Sequence, residues 1–128
     1  MPYRLSWNES GVCVQYNGVT SDEEVARAAE IIEGDERFDR LRYVLHDFLK
    51  CDGLAFSPSR IEEIASIDAA AATANRSTHR LSIAVVTERS DVTAMANAYI
   101  DTDVHPHTMR IFSRLDDART WLSSVAKN

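Results

Sequence analysis

Nothing in this 128-residue sequence approaches the run of about 20 apolar residues that a membrane-spanning helix needs. The opening stretch, Met1 to Trp7, lacks the basic start and long apolar segment of a signal peptide. The chain is therefore expected in the cytoplasm, with no transmembrane segment and with peripheral membrane contact left open. Only two cysteines occur, Cys13 and Cys51, too few for a disulfide framework; both are read as reduced and structural or incidental. There is no glycine-rich phosphate loop, nucleophile elbow, His-Glu-x-x-His or Cys-x-x-Cys pair, which lowers the case for an enzyme without closing it. Positive charge is in short supply as well. Lysine and arginine number 14 against 20 acidic residues, for a net charge of -6, and the arginines are scattered. A phosphate backbone would meet net repulsion, so no nucleic-acid partner is expected.

What is present is ordinary for a globular protein: 45% hydrophobic and 27% charged residues, enough for one core. Tyr3, Leu5 and Trp7 alternate with polar residues, and after Glu9-Ser10-Gly11 so do Val12, Val14 and Tyr16. That period of two predicts an antiparallel hairpin. From Thr20 to Glu33 the period becomes helical: Val25, Ala28, Ala29 and Ile32 form a stripe, Ser21 to Glu24 reads as a capping box, and Gly34 is the stop. Leu41 to Phe48 predicts a strand, and Leu49 to Phe56, with Asp52-Gly53, an exposed loop.

A long helix is expected to open at Ser57-Pro58 or Ser59, with Glu62 closing a box with Ser59, and to run to about Asn75 with Ile61, Ile64 and Ala65 inward. Leu81 to Val86 is nearly continuous apolar, the mark of a central strand covered on both faces. Ser90 is expected to cap a helix burying Val92, Met95, Ala96, Tyr99 and Ile100. A short strand around Met109 to Phe112 and a last helix with Leu115, Ala118, Leu122 and Val125 inward complete the pattern. Strands alternating with helices after a hairpin imply right-handed crossovers and a mixed sheet.

This order, with Met1-Pro2-Tyr3-Arg4-Leu5, Phe38-Asp39-Arg40-Leu41-Arg42-Tyr43, Met95-Ala96-Asn97-Ala98-Tyr99 and Arg110-Ile111-Phe112 leading into Ala118-Arg119-Thr120-Trp121-Leu122, resembles the SpoIIAA-like, or STAS/SEC14-like, family of small bacterial proteins. The resemblance spans nearly the whole chain and rests mostly on packing positions. It implies an α/β STAS-like fold over residues 1–128: a mixed, mostly parallel sheet with an N-terminal β-hairpin and four helices, in the order β-β-α-β-α-β-α-β-α. The best-understood relatives of that fold are anti-sigma factor antagonists, switched by phosphorylation of a serine at a helix start in a pattern like Asp-Ser-Ser-Gly. Here Pro58 separates Ser57 from Ser59 and no glycine follows, so the switch does not carry over by motif.

In open α/β sheets ligands gather beyond the carboxyl ends of the strands. That end is expected to hold Asp47, the loop with Leu54 and Phe56, and Ser57, Ser59 and Ser90 at two helix starts, where free amides favour an anion. Exposed, the loop's apolar residues Phe48, Leu49, Leu54 and Phe56 would suit docking to a protein or lipid. The plainer alternatives are that the serines only cap helices, that Asp47 anchors a loop amide, and that these four apolar residues fold inward as a lid. Asp101, Asp103, His105 and His107 alternate, which makes His105 and His107 weak metal candidates at the opposite edge. His46 and His79 are read as strand-flanking polar residues.

The expected function is a non-enzymatic STAS-like protein-interaction module, regulatory or signalling, with no cofactor. The alternative is a small lipid or apolar-ligand binder, which would be favoured by a cavity lined by Phe48, Leu54 and Phe56. Third stands an unrecognised enzyme or metal-binding protein, which would need a polar pocket with perturbed titratable groups. A homodimer is allowed if the hairpin leaves an open edge and Trp7 or Tyr16 fills a two-fold contact.

Overall fold

The computed structural model describes residues 3–74, 81–102 and 107–126. One sheet has the strand order β1-β2-β3-β4-β5, made of β1 (Tyr3–Trp7), β2 (Gly11–Ser21), β3 (Tyr43–Ala55), β4 (Ser82–Val86) and β5 (Thr108–Phe112). Only β1 runs antiparallel, against β2; the other neighbours are parallel. Four helices, α1 (Asp22–Glu33), α2 (Pro58–Ala74), α3 (Ser90–Asp101) and α4 (Leu115–Ala126), alternate with the strands, and a short 3-10 segment, Glu36–Arg40, leads into β3. The α/β class and the element order are those expected from the sequence.

The turn between β1 and β2 is set by one side chain. Asn8 accepts hydrogen bonds from the amides of Ser10 at 2.9 Å and Gly11 at 2.8 Å, and its Nδ2 donates to the Tyr43 hydroxyl at 2.6 Å. A Cβ on Gly11 would be driven into the Tyr43 ring, so glycine is required there for space.

Alternation then sorts the strands between two faces. Tyr3, Val12, Val14, Tyr16, Val44, Phe48, Ile83 and Val85 point toward α1, α2 and α3 and share one core with Val25, Ile61, Val92 and Met95. Leu45, Ala84 and Val86 point the other way, where Ala118 and Leu122 of α4 cover them. Thus β4 is covered on both faces, as expected, but the middle strand is β3.

Several boundaries differ from expectation for local reasons. The predicted exposed loop Leu49 to Phe56 is strand as far as Ala55: β2 runs on to Ser21 and pairs with it through Thr20↔Leu54 and Ser21↔Ala55. Two register shifts, at Gln15/Asn17 and Gly18/Val19, each leave an extra residue on β3, the signature of β-bulges. Thr20 therefore belongs to β2, and α1 begins after Ser21, whose Oγ accepts the Glu24 amide at 3.4 Å in the expected cap. The start of α2 is capped by Ser57, which accepts the Arg60 amide at 3.2 Å; Ser59 makes no such cap with Glu62. Ser90 is the first residue of α3 and not its cap, a carboxylate of Asp91 taking the Val92 amide at 2.8 Å instead. Ile100, expected inward, is exposed on α3.

Candidate functional site

At the carboxyl end of the sheet, β2 and β3 outrun β1 and β4 and form a two-stranded parallel ribbon, residues 17–21 against residues 50–55. Asp47, where β4 stops pairing, is buried and accepts the Leu49 amide at 2.9 Å, which satisfies the backbone at the first bulge. This is the anchoring role considered for it from the sequence. Asp91 accepts the Leu54 amide at 3.1 Å and is held by Arg89 at 3.1 Å, tying the ribbon to the start of α3. The Arg89 guanidinium keeps the Asp91 carboxyl below the usual range. Asp22 likewise accepts the Ser57 amide at 2.9 Å, joining the starts of α1 and α2.

The apolar side chains of this segment divide. Phe48 is fully buried and stacked on Tyr16, with centroids 4.2 Å apart. Leu54 and Phe56 are half-buried and packed on the core, so they form the inward lid and are not free docking groups. Leu49, the fourth apolar residue of the expected loop, stands in solvent at 41% exposed, and on the paired strand so does Val19, at 77%. Gly18, at φ 70, and the bulge beside it present Val19 outward while Thr20 is buried. Ser57, Ser59 and Ser90 are all exposed at the same end.

A small cavity of about 60 Å³ lies between the sheet and α1, α2 and α3, lined by apolar groups and by His46, Asp68 and Tyr99. Phe48 lines it, but Leu54 and Phe56 do not. His46 is therefore not a flanking residue: it faces inward from the middle of β3, bonded through Nδ1 to the Tyr16 hydroxyl at 3.0 Å. It is enclosed by protein yet keeps accessible surface toward the cavity, and burial pulls its pKa down to about 4. The Tyr99 hydroxyl donates to Asp68 at 2.6 Å. Burial, with the Asp68 carboxyl beside it, pushes Glu33 up to about 9. Glu33, Asp68 and Tyr99 thus bring titratable groups of α1, α2 and α3 together, and one buried Asp68 oxygen is left without a hydrogen-bond partner.

His107 is buried at the opposite edge and accepts the Leu81 amide through Nδ1 at 3.1 Å, a structural role. His105, Asp103 and His79 lie outside the described residues, and no group of three metal-ligating side chains occurs among the described ones. Cys13 and Cys51 are both free. Tyr16 is completely buried, so it is not available for a two-fold contact; Trp7 has the Arg37 guanidinium 3.9 Å above its ring. No helix among the described residues is long and apolar enough to cross a membrane.

Sequence reasoning missed Val19, Asp91 and the Glu33–Asp68–Tyr99 cluster. The cluster did leave a signal. Glu33 follows Ala29, Asp68 follows Ile64 and Tyr99 follows Met95 at a spacing of four, in phase with each inner stripe, and His46 alternates between Val44 and Phe48.

These features belong to a mixed α/β sandwich of SpoIIAA-like fold. An uncharacterised protein of the DUF3478 family with a SpoIIAA-like fold, from Shewanella loihica, superposes with a TM-score of 0.51 at 14% identity, over 94% of this chain and 91% of that one. The sequence matches no family model and no curated protein.

Proposed function

We propose that residues 1–128 form one STAS-like module that binds another protein in the cytoplasm, without catalysis, through the carboxyl end of the sheet. The observation that carries this reading is Val19, 77% exposed on a strand that the ladder to β3 holds in place. An apolar group on fixed backbone cannot fold away from water, and Leu49 stands exposed on the paired strand at the same end. Lys50, Asp52, Ser57, Ser59 and Ser90, all exposed, form a polar rim, the arrangement of an apolar centre within a polar border that protein interfaces use. The surface offered is pre-formed, which limits the ordering cost of association.

The lipid-binding alternative is less well supported. A cavity of about 60 Å³ is far below the roughly 300–1,000 Å³ of ordinary small-molecule sites. An acid–base site in that cavity has the Asp68 carboxyl in its favour, one of whose buried oxygens has no hydrogen-bond partner. Against it, the other Asp68 oxygen is engaged by Tyr99, and His46 by Tyr16.

The test is a Val19→Asp, Leu49→Asp variant beside wild type: capture of partners from the native cell, then titration calorimetry of each purified partner against both proteins. A partner that binds wild type and is lost with the variant, whose circular dichroism is unchanged, supports the reading. A reconstituted partner bound equally by both overturns it.

A further inference from the structure

The amino end of the sheet carries a groove of a different chemistry. Two hollows, of about 580 Å³ and about 350 Å³, meet at Asn8 and Glu9, which line both. The larger has Tyr43 and Leu45 of β3 at its floor and Arg119 and Leu122 of α4 as its wall; the smaller is closed by Arg37, Arg40 and Leu41. The turn between them is rigid, because Asn8 binds the amides of Ser10 and Gly11 and the Tyr43 hydroxyl. The Arg42 amide donates to the Ser10 carbonyl at 2.7 Å, which brings a further arginine against the turn.

The lining of the two hollows runs against the charge of the molecule, although Glu36, Asp39 and Asp116 stand on the elements that carry its arginines. Arg40, Arg42 and Arg119 are exposed and make no ion pair among the described residues, while Arg37 is paired with Asp35 at 2.9 Å. Among the described residues, Glu9 is the one carboxylate that lines the two hollows. By contrast α1 alone holds Asp22, Glu23, Glu24, Glu30 and Glu33 against Arg27. A chain of net charge -6 whose two adjoining hollows are lined by two unpaired guanidinium groups, Arg40 and Arg119, against one carboxylate offers negative charge a place there.

We propose that this furrow binds an acidic peptide segment in extended conformation, its carboxylates reaching Arg119 in one hollow and Arg40 in the other. Arginine on both sides of the turn favours a segment with carboxylates spaced along it over a single small anion. This site is separate from the Val19 surface, so the module has an apolar end and a basic end.

The experiment is fluorescence anisotropy of a fluorescein-labelled peptide of alternating glutamate and alanine, titrated with wild type and variants at low and raised salt. Wild type is expected to bind, more weakly as salt rises. Arg40→Glu and Arg119→Glu, both at exposed positions, are expected to weaken binding roughly tenfold or more by placing like charges opposite the peptide. Glu9→Gln is expected to tighten binding, a gain that damage to the fold would not produce. Val19→Asp is expected to leave it unchanged, which separates failure here from failure of the proposed function. Absence of wild-type binding at low salt, affinity undiminished from wild type in both arginine variants, a loss with Glu9→Gln, or tighter binding of a thymidine oligonucleotide than of the peptide would overturn the proposal.

Discussion

The two ends of the sheet reach order by opposite means. At the amino end a tight turn is closed by Asn8 and depends on Gly11 because no Cβ fits beside Tyr43. At the carboxyl end the strands run past their neighbours, and two bulges, the first satisfied by buried Asp47, let the ribbon diverge from a regular ladder. Space decides the first end and backbone conformation the second: Gly18 sits at φ 70 with nothing within 4 Å of where its Cβ would be. The amino end is left with a basic furrow and the carboxyl end with two exposed apolar side chains.

Substitutions at each end sharpen this contrast. Gly11→Val is expected to cost the most, about 3 kcal/mol of unfolding free energy in urea, since the side chain would displace the Tyr43 ring. Asp47→Ala should cost about 2 kcal/mol, because the Leu49 amide at the bulge loses its acceptor. For Gly18→Ala the expected cost is about 1 kcal/mol, a purely conformational charge. If Gly18→Ala proved more damaging than Gly11→Val, the assignment of space to one end and backbone conformation to the other would be reversed.

The carboxyl pair beneath the helices predicts a pH profile. Glu33 has a folded pKa near 9 against an ordinary 4.5, so its contribution to stability is complete below about 4.5 and is lost as pH rises through about 9. His46 is depressed to about 4 from 6.5; its contribution is present above about 6.5 and lost as pH falls through about 4. The two slopes oppose each other between about 4.5 and 6.5, and above that the Glu33 slope remains until the Cys13 thiol, raised by burial, adds to it near pH 9. Urea midpoints measured across pH should therefore decline from about 6.5 to 8 in wild type and stay level there in Glu33→Gln. Asp68, Tyr99 and Glu30 are the other groups acting on Glu33, and removing Glu33's charge leaves them in place.

Much of the fold was legible because hydrophobic period maps directly onto packing. The Val25–Ala28–Ile32 stripe, the Ser21 cap and the apolar run at Ile83 to Val86 all lie where the pattern put them. Lys50 to Gly53 misled for an equally physical reason: a bulged strand breaks alternation, and Asp-Gly is the composition of a turn. Val19 was invisible for the same cause, since the bulge that turns it outward is a property of the pairing with β3 and not of its own neighbours in sequence. Ser59 and Ser90 show the limit of cap reading, where Ser57 and Asp91 took the amides from one residue-type choice away.

The smallest expected change in stability belongs to the most informative residue. Val19→Asp touches nothing buried and should alter unfolding free energy by less than about 0.5 kcal/mol. The direct test of the docking surface is photo-crosslinking in the native cell from a benzophenone side chain placed at position 19, at position 49 or, as a control, at position 120 on the exposed side of α4. The same protein crosslinked from positions 19 and 49 and absent from position 120 is the expected result. Equal labelling of one protein from all three, or no protein crosslinked from positions 19 and 49, would contradict the claim that the carboxyl end of the sheet is a working surface.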